Sequence, residues 1–147
     1  MKVPGLEIRR ARREDYDSIV SLWNRAGLLY QPNGRDSRAN LEREIEDPSV
    51  DALVAYSDGL MVGTVIGTND GRKGWINRLA IDPDHRRRGM AQALVEQVEE
   101  CFKTRSLKIY CCLINAANEP SQSMFESIGY NRHPEVVYYS KKIDPDI

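Results

Sequence analysis

The sequence predicts an α/β (α+β) fold in which helices cover the faces of one mixed sheet of six to seven strands. Three observations carry that expectation. Apolar residues switch between strand and helix spacing in the order β-α-α-β-β-β-α-β-α-β-β. Ser57-Asp58-Gly59 and Asn69-Asp70-Gly71 punctuate the middle strands as turns. Leu107 to Ile114 is nearly all apolar, as expected of a strand near the centre of a sheet.

Leu6 to Arg10 reads as a short opening strand. Arg13 to Ala26 reads as a helix, with Tyr16, Ile19, Val20, Trp23 and Ala26 at helical spacing and Gly27 as its C-terminal cap. A loop from Leu28 to Arg35 leads to a second helix, Ser37 to Glu46, with Leu41 and Ile45 inward and Pro48 beyond its end. Strands follow at Asp51 to Tyr56, Leu60 to Thr68 and Trp75 to Ile81. The helix after Gly89 places Met90, Leu94, Val95, Val98 and Phe102 on one stripe. After the strand Leu107 to Ile114, a helix runs from Asn118 to Ile128. Asn118 is its cap, Pro120 lies in its first turn and Gly129 stands just past its end. A short strand near Tyr130 and a last strand, Val136 to Ile143, are expected to complete the sheet.

Bulk properties narrow the function classes. A length of 147 residues suits one domain with one sizeable core, so residues 1–147 are read as a single domain. The net charge of −1 supplies no overall field toward nucleic acid or a membrane surface. No apolar run is long enough to span a bilayer, and no leader pattern opens the chain. A cytoplasmic location is the expectation. Cys101, Cys111 and Cys112 lack the spacing of a disulfide framework or zinc site, so no metal is expected.

The most informative segment is Leu79-Ala80-Ile81-Asp82-Pro83-Asp84-His85-Arg86-Arg87-Arg88-Gly89-Met90-Ala91, a strand, a turn and a helix that begins at glycine. A helix start points unpaired N–H groups outward and carries the positive end of the helix dipole, a setting that favours phosphate. Gly89 lets a ligand approach the backbone, and Arg86, Arg87 and Arg88 can add charge-assisted contacts.

Arg86, Gly89 and Ala91 fill R-x-x-G-x-A, which resembles the acyl-CoA signature of the GNAT N-acetyltransferase superfamily, Q/R-x-x-G-x-G/A. Asn118, Ser121, Phe125, Gly129 and Tyr130 match that family's second signature, N-x-x-(A/S)-x-x-x-(Y/F)-x-x-x-G-(Y/F). The opening Ile8-Arg9-Arg10-Ala11, followed by Glu14-Asp15, resembles its first strand and helix, so the likeness covers nearly the whole chain.

The resemblance implies a mostly antiparallel sheet whose fourth and fifth strands run parallel and splay apart near a bulge. Acetyl-CoA is then the acyl donor, its pantetheine arm lying in the cleft like an added strand. Leu79, Ala80 and Ile81 are expected to hold the arm, and the N–H groups from Arg86 through Met90 to Ala91 the pyrophosphate. The Ile81 N–H is expected to polarise the thioester carbonyl. Asn118, with Ser121 and Phe125 on the same helix, is expected beside the pantetheine. The reaction implied is direct attack of a primary amine on the thioester.

Two groups common in the family are absent. Phe125 stands where many members carry an acidic tyrosine, and Asn77 stands where many carry a glutamate base. Leu113 likewise replaces a glutamate found in many protein N-terminal acetylators. The catalytic groups are therefore open, with Asn77, Tyr138 and Tyr139 as candidates. Leu29, Tyr30, Arg132 and His133 are candidates for contact with a small amino compound or a peptide or protein amine. The alternative is a non-catalytic acyl-CoA-binding sensor or regulatory module. A homodimer is compatible with the resemblance, though no residue specifies one.

Overall fold

The computed structural model describes residues 3–147. Its elements are β1 (Leu6–Arg10), α1 (Tyr16–Ala26), α2 (Arg38–Glu46), β2 (Asp51–Ser57), β3 (Leu60–Asn69), β4 (Gly74–Ile81), α3 (Met90–Thr104), β5 (Tyr110–Cys112) and α4 (Glu119–Ser127). Single 3-10 turns, Arg13–Asp15 and Pro83–His85, precede α1 and follow β4. The strands form one sheet in the order β1-β2-β3-β4-β5, antiparallel except for the parallel β4–β5 pair.

Strand alternation builds two cores. In β2, Leu53 and Ala55 face the α3 side with Leu94, Val98 and Phe102. Ala52 and Val54, one residue out of phase, face the α1–α2 side with Leu22, Trp23 and Leu41. Helices on both faces thus follow from a sheet with two apolar surfaces. On the α3 side, an added Cβ at Gly74 would lie 2.6 Å from ring atoms of Phe102, so glycine there permits close approach of helix and sheet. Asp51 is buried where β2 begins and bonds Arg10 of β1 at 2.6 Å and Arg105 just past α3 at 2.8 Å. That pairing pins the far end of α3 to the sheet edge.

Among the described residues the sheet has five strands rather than the six to seven expected. Residues 131–147 form no strand, and Val136, Val137, Tyr138, Tyr139 and Ile143 are exposed. The V-V-Y-Y run puts apolar groups on both faces of any strand, so no register buries all of them against a one-sided surface. Without those strands β5 is an edge rather than a central strand, and it is shorter than Leu107 to Ile114. The splay of the parallel pair is present. Pairing covers only Gly74–Ile76 with Tyr110–Cys112, after which β4 continues alone to Ile81.

Candidate active site

A bulge shapes the middle of β4. Thr64 pairs with Ala80 and Ile66 with Asn77, so Arg78 and Leu79 together oppose Val65. Arg78 absorbs the extra residue with φ of +55°, a left-handed conformation that is costly for a side chain with a Cβ. Its carbonyl accepts from the Thr64 hydroxyl at 3.0 Å, and the same Thr64 oxygen accepts from Trp23 Nε1 at 3.0 Å. The Arg78 guanidinium lies 5.0 Å from the Trp23 ring centroid. Its Nη2 donates to both Asp36 carboxylate oxygens, at 2.8 and 2.7 Å, and its Nη1 to Leu29 O at 2.7 Å. The bulge therefore ties the α1–α2 connection to the sheet.

Where β4 and β5 part, a cleft of about 520 Å³ opens. One wall is Asn77, Arg78 and Leu79 of β4; the other is Leu113, Ile114 and Asn115 beyond β5, with Asn118, Ser121 and Phe125 of α4. Leu28, Arg35 and Asp36 of the α1–α2 connection, together with Leu41 and Glu44 of α2, line its remaining side. Burial raises the Glu44 carboxyl above the ordinary glutamate range, Asp36 adding to the effect and Arg78 opposing it.

Beyond the cleft, β4 leads to the start of α3. Asp82 N–H donates to Val62 O of β3 at 2.8 Å, so the preceding Ile81 N–H points the opposite way, toward the side where β5 has departed. Gly89 takes the N-cap position of α3 with φ of +78°, and no side chain caps that helix. Arg87 also has positive φ, +63°. Arg87 and Arg88 are exposed, and their side chains make no hydrogen bond or ion pair among the described residues.

The sequence-derived residues divide clearly. Asn77, Leu79, Asn118, Ser121 and Phe125 come together around the cleft. Ala80 and Met90 are in the core, which leaves only their backbones for a ligand. Ile81 is buried, and its carbonyl accepts from Arg86 Nε at 3.2 Å while Arg86 Nη2 reaches Ala26 O at 3.0 Å. The Arg86 side chain thus clamps the turn to α1 and is turned away from a phosphate role. Asn77 donates to Thr68 Oγ1 at 3.0 Å, and Asn118 Oδ1 accepts from Ser121 N–H at 3.2 Å as a helix cap.

Six candidates do not reach the cleft. Tyr138 and Tyr139 are exposed on residues 131–147, because the hairpin that would carry them inward is absent. His133 bonds Glu135 at 3.1 Å, and Arg132 bonds Glu126 at 3.1 Å and Gln122. Leu29 points to solvent, although its neighbour Leu28 lines the cleft. Tyr30 packs on Trp23, with ring centroids 5.9 Å apart. The Tyr130 hydroxyl donates to Glu99 at 2.6 Å, and burial followed by that bond pushes its pKa far up.

Arg78 and Glu44 were missed in the sequence. Glu44 had a signal: it lies three residues after Leu41 and one before Ile45, on the inward face of α2. Arg78 had none of its own: the family resemblance implies a bulge where the strands splay, but nothing in Asn77-Arg78-Leu79 says which residue carries it.

Residues 9–130 match the model of the acetyltransferase (GNAT) family. An acetyltransferase of Photorhabdus laumondii is 34% identical over 143 residues, covering 96% of this chain and 98% of the relative. One of Sodalis glossinidius is 32% identical, with 96% and 98% covered. Among solved structures, the PaiA N-acetyltransferase of Thermoplasma acidophilum, crystallised with coenzyme A, superposes with a TM-score of 0.77 at 17% identity, covering 86% of this chain and 89% of that one. The mixed sheet that opens between two parallel strands is the fold shared with that structure. The chain belongs to the acetyltransferase (GNAT) family.

Proposed function

We propose that the chain, acting as a single domain, is an acetyl-CoA-dependent N-acetyltransferase that moves the acetyl group to a primary amine by direct attack. One observation carries the reading: the cleft lies where parallel β4 and β5 separate, and β4 runs from it to the uncapped start of α3. Pantetheine fits the gap as an extended chain beside Leu79 and Ile81. The pyrophosphate fits the N–H groups around Gly89, with Arg87 and Arg88 close in sequence and free to turn toward it. The direction of the Ile81 N–H, away from β3, supports its role in polarising the thioester carbonyl. Asn118 and Phe125 form the opposite wall.

Calorimetric titration with acetyl-CoA tests the reading. Stoichiometric micromolar binding is expected; no binding by folded protein would overturn it. Phe125 and Asn77, which lack the acidic and basic groups common at their positions, favour a second reading as a non-catalytic acyl-CoA-binding module. CoA release with any amine rejects that second reading.

A further inference from the structure

We propose that Glu44 binds the ammonium group of the acceptor and takes its proton, supplying from α2 the carboxylate that Asn77 does not provide on β4. The inference rests on the acetyltransferase reading above and adds the residue that makes the amine nucleophilic.

Two carboxylates line the cleft, and their surroundings differ. Asp36 is held by Arg78 Nη2 on both oxygens and accepts from Gln31 N–H at 2.8 Å. Its lone pairs and charge are already engaged. Glu44 lines the same cleft with no side-chain hydrogen bond or ion pair among the described residues. Leu41 and Ile45, buried on either side of it in sequence, fix α2 against the core and so set where the Glu44 side chain leaves the helix. The groups facing it are Asp36 and Arg35 from the α1–α2 connection, Arg78 from β4, Asp47 just beyond α2 and the Cys112 thiol from β5. Desolvation raises the Glu44 carboxyl above its ordinary value, the direction that strengthens a carboxylate as a base.

The chemistry balances. A primary amine arrives mostly as ammonium, since amine pKa values run from about 8 to about 10.4. One N–H proton passes to the Glu44 carboxylate, leaving a lone pair on nitrogen. Nitrogen attacks the thioester carbonyl carbon; the C–N bond forms, the C–S bond breaks, and the sulfur leaves with the bonding pair. The second nitrogen proton goes to the thiolate, and Glu44 returns its proton to water. The products are the amide, CoA thiol and one released proton.

The test compares wild type with Glu44→Gln and Glu44→Asp. Acetyl-CoA binding is measured by calorimetry, and CoA release is measured with kanamycin, putrescine and trialanine amide as probe amines. Glutamine keeps the shape but accepts no proton. The expected result is acetyl-CoA affinity within about twofold of wild type and kcat/KM for the amine lower by roughly 10²-fold or more. The acidic limb of the wild-type pH profile should move up toward the pKa of the probe amine itself, with partial recovery in Glu44→Asp. In carboxyl-13C NMR, the resonance absent from Glu44→Gln should titrate above the ordinary glutamate value and move on addition of a probe amine.

Wild-type kcat/KM and pH profile in Glu44→Gln would overturn the assignment and leave the acetyltransferase reading standing. A Glu44 resonance unmoved by every probe would also overturn it, even without turnover. Failure of wild type to bind acetyl-CoA would instead overturn the acetyltransferase reading.

Discussion

Arg78→Met removes the guanidinium that joins the β4 bulge to the α1–α2 connection while keeping most of the side-chain stem. Asp36 remains buried, its side chain 7% exposed, with Gln31 N–H as its close donor. Arg35 is 3.7 Å away and half exposed, a poor substitute. Breaking a buried pair by removing one partner costs about 3–5 kcal/mol. Arg78 is itself 20% exposed, which places the loss at the lower end, about 3 kcal/mol. An unfolding entropy of roughly 2.1 cal/mol/K per residue, taken over 147 residues, converts that to a melting point lower by roughly 10 °C. Urea unfolding should show the loss as a lower midpoint at unchanged slope. A double-mutant cycle with Asp36→Asn should return a coupling above about 1 kcal/mol. A loss below about 1 kcal/mol, or additive single substitutions, would refute the claim that this pair anchors the acceptor side of the cleft.

Gly89→Glu should weaken acetyl-CoA binding at least about 100-fold, because it puts a side chain and negative charge at the start of α3. Arg87→Ala and Arg88→Ala should each weaken it only several-fold; calorimetry decides, and unchanged affinity in the glutamate variant rejects the pyrophosphate placement. Gly74→Ala drives a Cβ to 2.6 Å from the Phe102 ring, an overpacking expected to cost about 1–3 kcal/mol. Unaltered thermal melting would show that the ring yields freely. Burial pushes the Asp51 carboxyl up, but hydrogen bonds and charge from Arg105 and Arg10 outweigh it and hold the pKa below the usual value. A depressed folded-state pKa stabilises above the unfolded value near 4 and loses that contribution as pH falls through the folded value. Asp51→Asn should therefore be less stable than wild type at pH 7, by a margin that narrows toward pH 3. A pH-independent gap in urea melts would contradict the sign.

The parts legible in the sequence are those set by local pattern. Trp75 to Ile81, the glycine at the start of α3, its apolar stripe and the Asn118 cap each carry a signal within a few residues, and each forms where expected. Side-chain traffic over long separations was not legible. Arg86 looked like one of three phosphate cations, yet it closes on Ala26, sixty residues away. Asp36 and Arg78 are forty-two residues apart and meet only because β4 bulges. The end of the chain failed for the opposite reason. Val136 to Ile143 has strong strand composition, but composition does not specify a partner, and a run without alternation does not select a face.

The bulge also explains why one cleft can hold two carboxylates with different duties. By turning into the left-handed region, Arg78 brings its guanidinium to Asp36 and to Leu29 O, so that carboxylate serves the fold. One cation so engaged cannot also pair closely with Glu44, which feels Arg78 through space while desolvation works against its charge. A raised folded-state carboxyl pKa destabilises the fold as pH rises through it, because the native state binds the extra proton over that window. Glu44→Gln should therefore leave stability at pH 7 unchanged or raised. A structural carboxylate would show the reverse, so stability and turnover moving in opposite directions would separate a group kept for chemistry from one kept for folding.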